Sequence, residues 1–215
     1  MPRKTQFTAD DIVTTALGMV RKSGWAELSA TAVAKQMGCS TMPIYSYFDN
    51  LEKLKDEVII NAWKRIMEYE AREYTGDIWV DQSIGYVFFA RAETQLFMCM
   101  FDGRNVELQR KMLLAHWQYL AKFLDDYEGF KSLSGPQRLI IRQSRALMTH
   151  GLAVSVSTGW TTIMSDDAII MNYIRAASHA LLEGYQDLYA RGDGVMQYVD
   201  KRIDDFLKEW ATANQ

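Results

Sequence analysis

The chain has 215 residues, 48% of them hydrophobic, and a formal net charge of −3. That much apolar material excludes a disordered chain and supplies a sizeable core. The slight acidic excess excludes a protein coated in basic surface, so any nucleic-acid contact must come from a local patch.

Cys39 and Cys99 form no C-x-x-C pair, which fits structural thiols in a reducing, cytoplasmic setting. The opening MPRKTQFT has no apolar signal-like segment, and no apolar run approaches the ~20 residues of a membrane span. The expectation is a soluble cytoplasmic protein with no membrane partner. Prolines are confined to Pro2, Pro43 and Pro136, and apolar residues recur at intervals of three and four, so the chain reads as all-α. No repeat or linker interrupts it. Residues 1–50 read as a three-helix DNA-binding head, and residues 51–215 as a helical body.

In chain order, Thr8 caps the first helix, Asp11 completes a capping-box pair, Phe7 and Ile12 form a hydrophobic staple, and Gly24 ends it. Its inner face is Ile12, Ala16, Met19 and Val20, with Trp25 and Leu28 filling the corner that follows. Next comes LSATAVAKQMGCSTMPIYSYF, residues 28–48, with the spacing of a helix-turn-helix. Ser29 caps a helix whose apolar face is Val33, Ala34 and Met37, and Gly38 supplies the positive φ that ends it. Ser40 starts the second helix. There Ile44 and Phe48, four apart, point inward, leaving a short polar and aromatic face of the kind that reads a major groove. Pro43 sits in the first turn, where its missing N–H is no loss; it disfavours helical geometry at Met42, which shifts the expected helix start toward Pro43.

Contacts on such a head divide into those that position it on phosphates and those that specify bases. Thr31, Ser40, Tyr45, Tyr47 and Lys53 are the candidate positioners, and Thr41, Met42, Pro43 and Ser46 the candidate base readers. None of the readers is Arg, Asn or Gln, so thymine methyls, hydroxyl bonds, water and DNA shape take the place of bidentate pairing. Arg3 and Lys4 are either an arm reaching the neighbouring backbone or minor groove, or a solvated terminus.

Asp49 or Asn50 caps a long helix that carries Leu54, Val58, Ala62, Ile66 and Tyr69 inward and runs to about Tyr74, with Gly76 beyond it. Trp79, Ile84, Val87 and Phe88 begin another, followed by the cluster Leu96 to Phe101 and a turn at Asp102-Gly103. A helix over about 106–126 carries Leu113, Trp117, Leu120 and Leu124. Two more follow, about 137–158 and 166–191. They bear small-residue stripes, Gly151, Ser155 and Gly159 on one and Ala176, Ala180 and Gly184 on the other. Such stripes let helices approach closely, either within the subunit or in docking on a twin pair. A last helix, about 195–211, shows Val199, Ile203, Phe206, Leu207 and Trp210 on one face.

The body is rich in Met and aromatic residues, among them Tyr86, Phe89, Phe97, Met98, Met100, Trp117, Met148 and Trp160. They are either core or the wall of a site for a small apolar or aromatic effector, with His116 and Arg145 as the polar groups that would orient it. The three histidines are scattered, and no nucleotide-binding, hydrolase or metalloprotease motif occurs. The adjacent aspartate pairs read as caps and solvated faces rather than metal ligands. No enzyme, cofactor or metal is expected.

Ser29 to Lys35, Gly38-Cys39-Ser40 and Ile44-Tyr45-Ser46-Tyr47-Phe48 carry a resemblance to the tetracycline-repressor (TetR) family of bacterial transcription regulators. The stretch Phe89 to Phe97 adds a weaker likeness to that family's fifth-to-sixth helix junction. The resemblance implies a homodimer of helical subunits, an effector pocket in each body, and a four-helix dimer interface near the chain's end. Family members commonly carry a lysine just after the recognition helix, where this chain has Leu51; Lys53 or Lys55 is then the substitute. The implied function is a dimeric repressor that binds operator DNA and is released by a small effector. A helical DNA-binding scaffold or partner-binding protein without small-molecule control is the alternative.

Overall fold

In the computed structural model the described residues, 7–192 and 194–213, form α-helices and two short 3-10 turns, with no strand among them. The helices are α1 (Ala9–Ser23), α2 (Ala30–Met37), α3 (Met42–Tyr47), α4 (Leu51–Glu70), α5 (Ile78–Ala92), α6 (Thr94–Met100), α7 (Val106–Lys122), α8 (Gly135–Ser157), α9 (Asp167–Ala190) and α10 (Gly194–Ala213). The all-α architecture expected from the sequence is therefore the one observed. The chain packs as two compact units, one of residues 1–71 and 88–119, the other of residues 72–87 and 120–215.

The first unit is built on α1, which packs against α2, α3, α4 and α6. The capping box forms as expected: Asp11 N–H donates to Thr8 Oγ1 at 3.1 Å, and Thr8 N–H to Asp11 Oδ2 at 2.9 Å. Ile12, Ala16 and Val20 are fully buried, as are Val33 of α2 and Leu54 and Val58 of α4. Truncating any of the larger ones to Ala would cost about 2–5 kcal/mol.

The end of α4 departs from expectation, at Glu70 rather than near Tyr74. In the second unit the buried carboxylate of Asp81 gathers the N–H groups of Tyr74 (3.2 Å), Thr75 (2.9 Å) and Gly76 (3.2 Å), plus the Thr75 hydroxyl (2.6 Å). Those donors are organised around a side chain, so the segment is a loop. Of the expected inward set near α7, Leu124 is buried and Trp117 and Leu120 are half-buried, but Leu113 is 45% exposed, and Leu108, Met112 and Tyr119 are half-buried and His116 buried beside it. His116 turns inward because it finds a buried partner, Glu70, that a search for apolar spacing passes over.

In the second unit α8 packs on α9 and on α10. Ile141, Arg145, Thr149 and Ala153 line the inner side of α8, and Ile170, Ile174, Ser178 and Leu182 that of α9, each at four-residue spacing. The small-residue stripes are elsewhere. Gly151, Gly159, Ala176, Ala180 and Gly184 are exposed and Ser155 half-buried, so they are not packing surfaces within the subunit. Phe206, Leu207 and Trp210 lie outside the described side chains.

Candidate nucleic-acid interface

The helix-turn-helix is built by local chemistry. Ser29 Oγ accepts the Ala32 N–H at 3.1 Å and starts α2. Gly38, at φ 68° and ψ 32°, ends it. Cys39 N–H reaches back to the Ala34 carbonyl at 2.9 Å and Gly38 N–H to that of Lys35 at 3.2 Å, a Schellman closure that only a residue tolerant of left-handed backbone makes cheaply. Thr41 precedes α3, and its carbonyl accepts the Ile44 N–H at 3.1 Å. Met42 is helical after all, so α3 begins there rather than at Pro43, with Thr41 and not Ser40 before it, and Pro43 is its second residue, where a missing N–H is no loss.

Ile44 and Phe48, 1% and 8% exposed, anchor α3 as the spacing requires. Its other side faces water: Met42 is 78% exposed, Tyr45 55% and Tyr47 47%. Thr31, Ser40, Ser46 and Lys53 are exposed as well, and Thr41 and Pro43 are half-buried. Arg3 and Lys4 lie outside the described residues. Two hydroxyls have their protons engaged within the chain: Ser46 Oγ donates to the Pro43 carbonyl at 2.7 Å, and the Tyr47 hydroxyl to the Phe7 carbonyl at 3.1 Å. Of the two lysines after α3, Lys55 is folded onto Glu52 (2.7 Å) and lies 5.9 Å from the centre of the Trp25 ring. Lys53, with its side chain 62% exposed and only a long 3.8 Å approach to Asp56, is the one that reaches into solvent.

Polar contacts that no motif announced brace this head within the first unit. Glu93, at the break between α5 and α6, takes both Arg21 of α1 and Arg65 of α4. Trp25 Nε1 donates to Asp102 at 2.7 Å beneath the Arg104 guanidinium, 4.3 Å from the ring centre. The Asp102 carboxyl would be raised by burial, but the hydrogen bonds from Arg104 and Trp25 hold it below the usual range. Burial pushes the Cys99 thiol up, in keeping with an inert structural cysteine.

The residues expected around an effector fall in both units. In the first, Phe89, Phe97, Met100 and His116 are buried and Trp117 half-buried. An edge-to-face run of rings links Tyr69 to Phe89 (5.6 Å), Phe97 to Phe101 (5.2 Å) and Phe101 to Trp63 (5.9 Å), and Trp63 sits 5.0 Å from the His116 ring. His116 Nε2 lies 2.6 Å from Glu70 Oε2, and the buried Trp63 Nε1 has no hydrogen-bond partner. In the second unit, Tyr86 bonds His150 Nδ1 at 2.8 Å, and burial lowers the His150 pKa. Arg145 donates to the Trp79 carbonyl and, at 3.0 Å, to Gln82, with its guanidinium 3.7 Å from the Trp79 ring centre; Met148 is half-buried. Met98 and Trp160 are instead exposed, by 46% and 83%. Among the described residues no helix is long and apolar enough to cross a membrane, and no three His, Cys, Asp or Glu side chains are grouped to hold a metal.

No family model matches the sequence, and no curated protein matches it. In three dimensions the chain is similar to PfmR, a TetR family transcriptional regulator from Thermus thermophilus. The match covers 80% of this chain and 97% of that one, with a TM-score of 0.50 and 13% sequence identity. At that identity the likeness is one of fold: an N-terminal helix-turn-helix followed by a helical C-terminal region, the arrangement of TetR-type regulators.

Proposed function

We propose that the chain is a dimeric, sequence-specific regulator of transcription that binds double-stranded operator DNA, a repressor released by a small apolar or aromatic effector. Residues 1–50 are the DNA-binding head and residues 51–215 the effector-binding and dimerising part. The observation that carries this reading is α3 itself. It is a helix anchored by Ile44 and Phe48, preceded by a glycine-closed turn, with Met42 and Tyr45 held out to solvent.

The exposed faces of α8 and α9 support the dimer. Leu147 is 65% exposed, Ile169 43% and Tyr173 44%, and they continue along the small residues Gly151, Ala176, Ala180 and Gly184. An apolar helical face of that length suits a partner, and a second copy turned about a two-fold axis presents the same face. Two heads so joined must sit about 34 Å apart to meet successive major grooves. An effector that binds two head spacings unequally then changes operator affinity.

The test is to sequence the genomic fragments that the purified protein retains and to weigh the complex by sedimentation. Fragments sharing a two-fold symmetric motif, bound by an even number of chains, are expected. Retention that ignores sequence, or a monomeric complex, would contradict the reading.

A further inference from the structure

The outer face of α3 holds few groups that could distinguish one base pair from another. Its sequence, Met42-Pro43-Ile44-Tyr45-Ser46-Tyr47, has no Arg, Asn or Gln, so the bidentate pairings with guanine and adenine are not available to it. Ile44 is buried, and Pro43 has neither a donor side chain nor an N–H. Ser46 and Tyr47 have their hydroxyl protons engaged by backbone carbonyls within the chain. Those hydroxyls are left as acceptors only; the other groups on this face are the thioether side chain of Met42, the most exposed apolar residue of α3, and the phenol of Tyr45.

Each base pair in the major groove shows a pattern of donors and acceptors, and only thymine adds an apolar group, its 5-methyl. An unbranched, polarisable methionine is shaped to pack on such a group and adapts to its exact position. The exposed Lys35 on α2 and Lys53 on α4, the helices that bracket α3 in the chain, suit a polyanion as the occupant, although Asp49 and Glu52 are exposed beside them and Glu52 holds Lys55. Tyr45, with a hydroxyl to donate, suits a phosphate oxygen better than a methyl group.

We infer that Met42 is a specificity-determining residue of the head, reading the 5-methyl group of one thymine in each half-site by van der Waals contact. This rests on the proposal that the chain binds double-stranded operator DNA.

The experiment uses the full-length protein and a synthetic duplex copied from a retained genomic fragment. Each thymine is replaced in turn, in both half-sites together, by deoxyuridine, which removes the methyl and nothing else. Affinity is read by fluorescence anisotropy at fixed salt. One symmetry-related thymine is expected at which the replacement weakens the wild-type protein about fourfold per half-site, the equivalent of one unburied methyl. For Met42→Ala, which alters a residue 78% exposed and so leaves the fold intact, the same replacement is expected to have no further effect. Retention of DNA with no sensitive thymine, or sensitivity that persists undiminished in Met42→Ala, overturns this inference alone. A wild-type protein that retains no DNA at all overturns the DNA-binding proposal with it.

Discussion

Arg21 and Glu93, 72 residues apart, are joined by two parallel hydrogen bonds of 2.6 Å, from Nε to one carboxylate oxygen and from Nη2 to the other. Arg65 adds a third at 2.9 Å. One nearly buried carboxylate thus ties the last turn of α1 to α4 at the break between α5 and α6. Removing its charge strands two guanidinium groups. Glu93→Gln is expected to lower stability by about 2–4 kcal/mol, less than a fully buried pair would lose because the Arg21 side chain is 43% exposed and water screens it. Urea unfolding at neutral pH measures this.

The same carboxylate makes a pH prediction. Burial alone would raise the Glu93 pKa, but the hydrogen bonds and charges of Arg21 and Arg65 outweigh it and lower the value below 4.5. A folded value below the unfolded one means the native state holds fewer protons, so its contribution is complete above the unfolded pKa and lost as pH falls through the folded one. The stability gap between wild type and Glu93→Gln should therefore be constant near neutrality and close below about pH 4.5, where the unfolded chain's carboxyl takes its proton. Unfolding midpoints of both proteins across that range decide it; a gap that widens in acid would contradict the pairing.

His116→Leu should unfold the first unit more readily by about 1–3 kcal/mol, since Glu70, 2% exposed, would lose the buried 2.6 Å hydrogen bond it shares with the imidazole. Adding Glu70→Gln should recover part of that loss. Purely additive effects in the double-mutant cycle would show that the two side chains are not coupled.

How much of this was legible in the sequence follows from the range of each interaction. Thr8, Asp11, Ser29 and Gly38 act on backbone within a few residues of themselves, and their roles could be read directly from spacing. The inward set Ile44 and Phe48 follows from helical periodicity in the same way. Glu93, Glu70 and Asp81 could not be found so. The first two find their partners 28 to 72 residues away, and Asp81 reshapes a loop through backbone N–H groups that carry no sequence signal. The inward place of His116 has the same origin, because its pairing with Glu70 lies outside apolar periodicity, while Leu113, which that periodicity weighs as core, is exposed.

Ser46→Ala and Tyr47→Phe should each change operator affinity less than about threefold, because each hydroxyl proton is already held by a carbonyl, at 2.7 and 3.1 Å. Binding titrations at a single salt concentration suffice. A tenfold loss in either would mean that the hydroxyl leaves its internal partner for the DNA.

Ala180→Glu should yield monomers. The residue is exposed on the small-residue face of α9, so a carboxylate there is tolerated by the single chain, whereas a two-fold contact would bring two of them together out of water. Sedimentation equilibrium reads the mass; a variant as dimeric as the wild type would move the interface elsewhere.

The account turns on the exposed face of α3, and Tyr45→Ala probes it most directly. The residue is 55% exposed, so the substitution leaves the fold and the dimer alone, as unfolding and sedimentation can verify. Affinity for a retained operator fragment should then fall about tenfold or more, as the loss of a phosphate contact in each half-site requires. An affinity equal to that of the wild type, in a protein still folded and dimeric, would contradict the assignment of α3 as the reading helix.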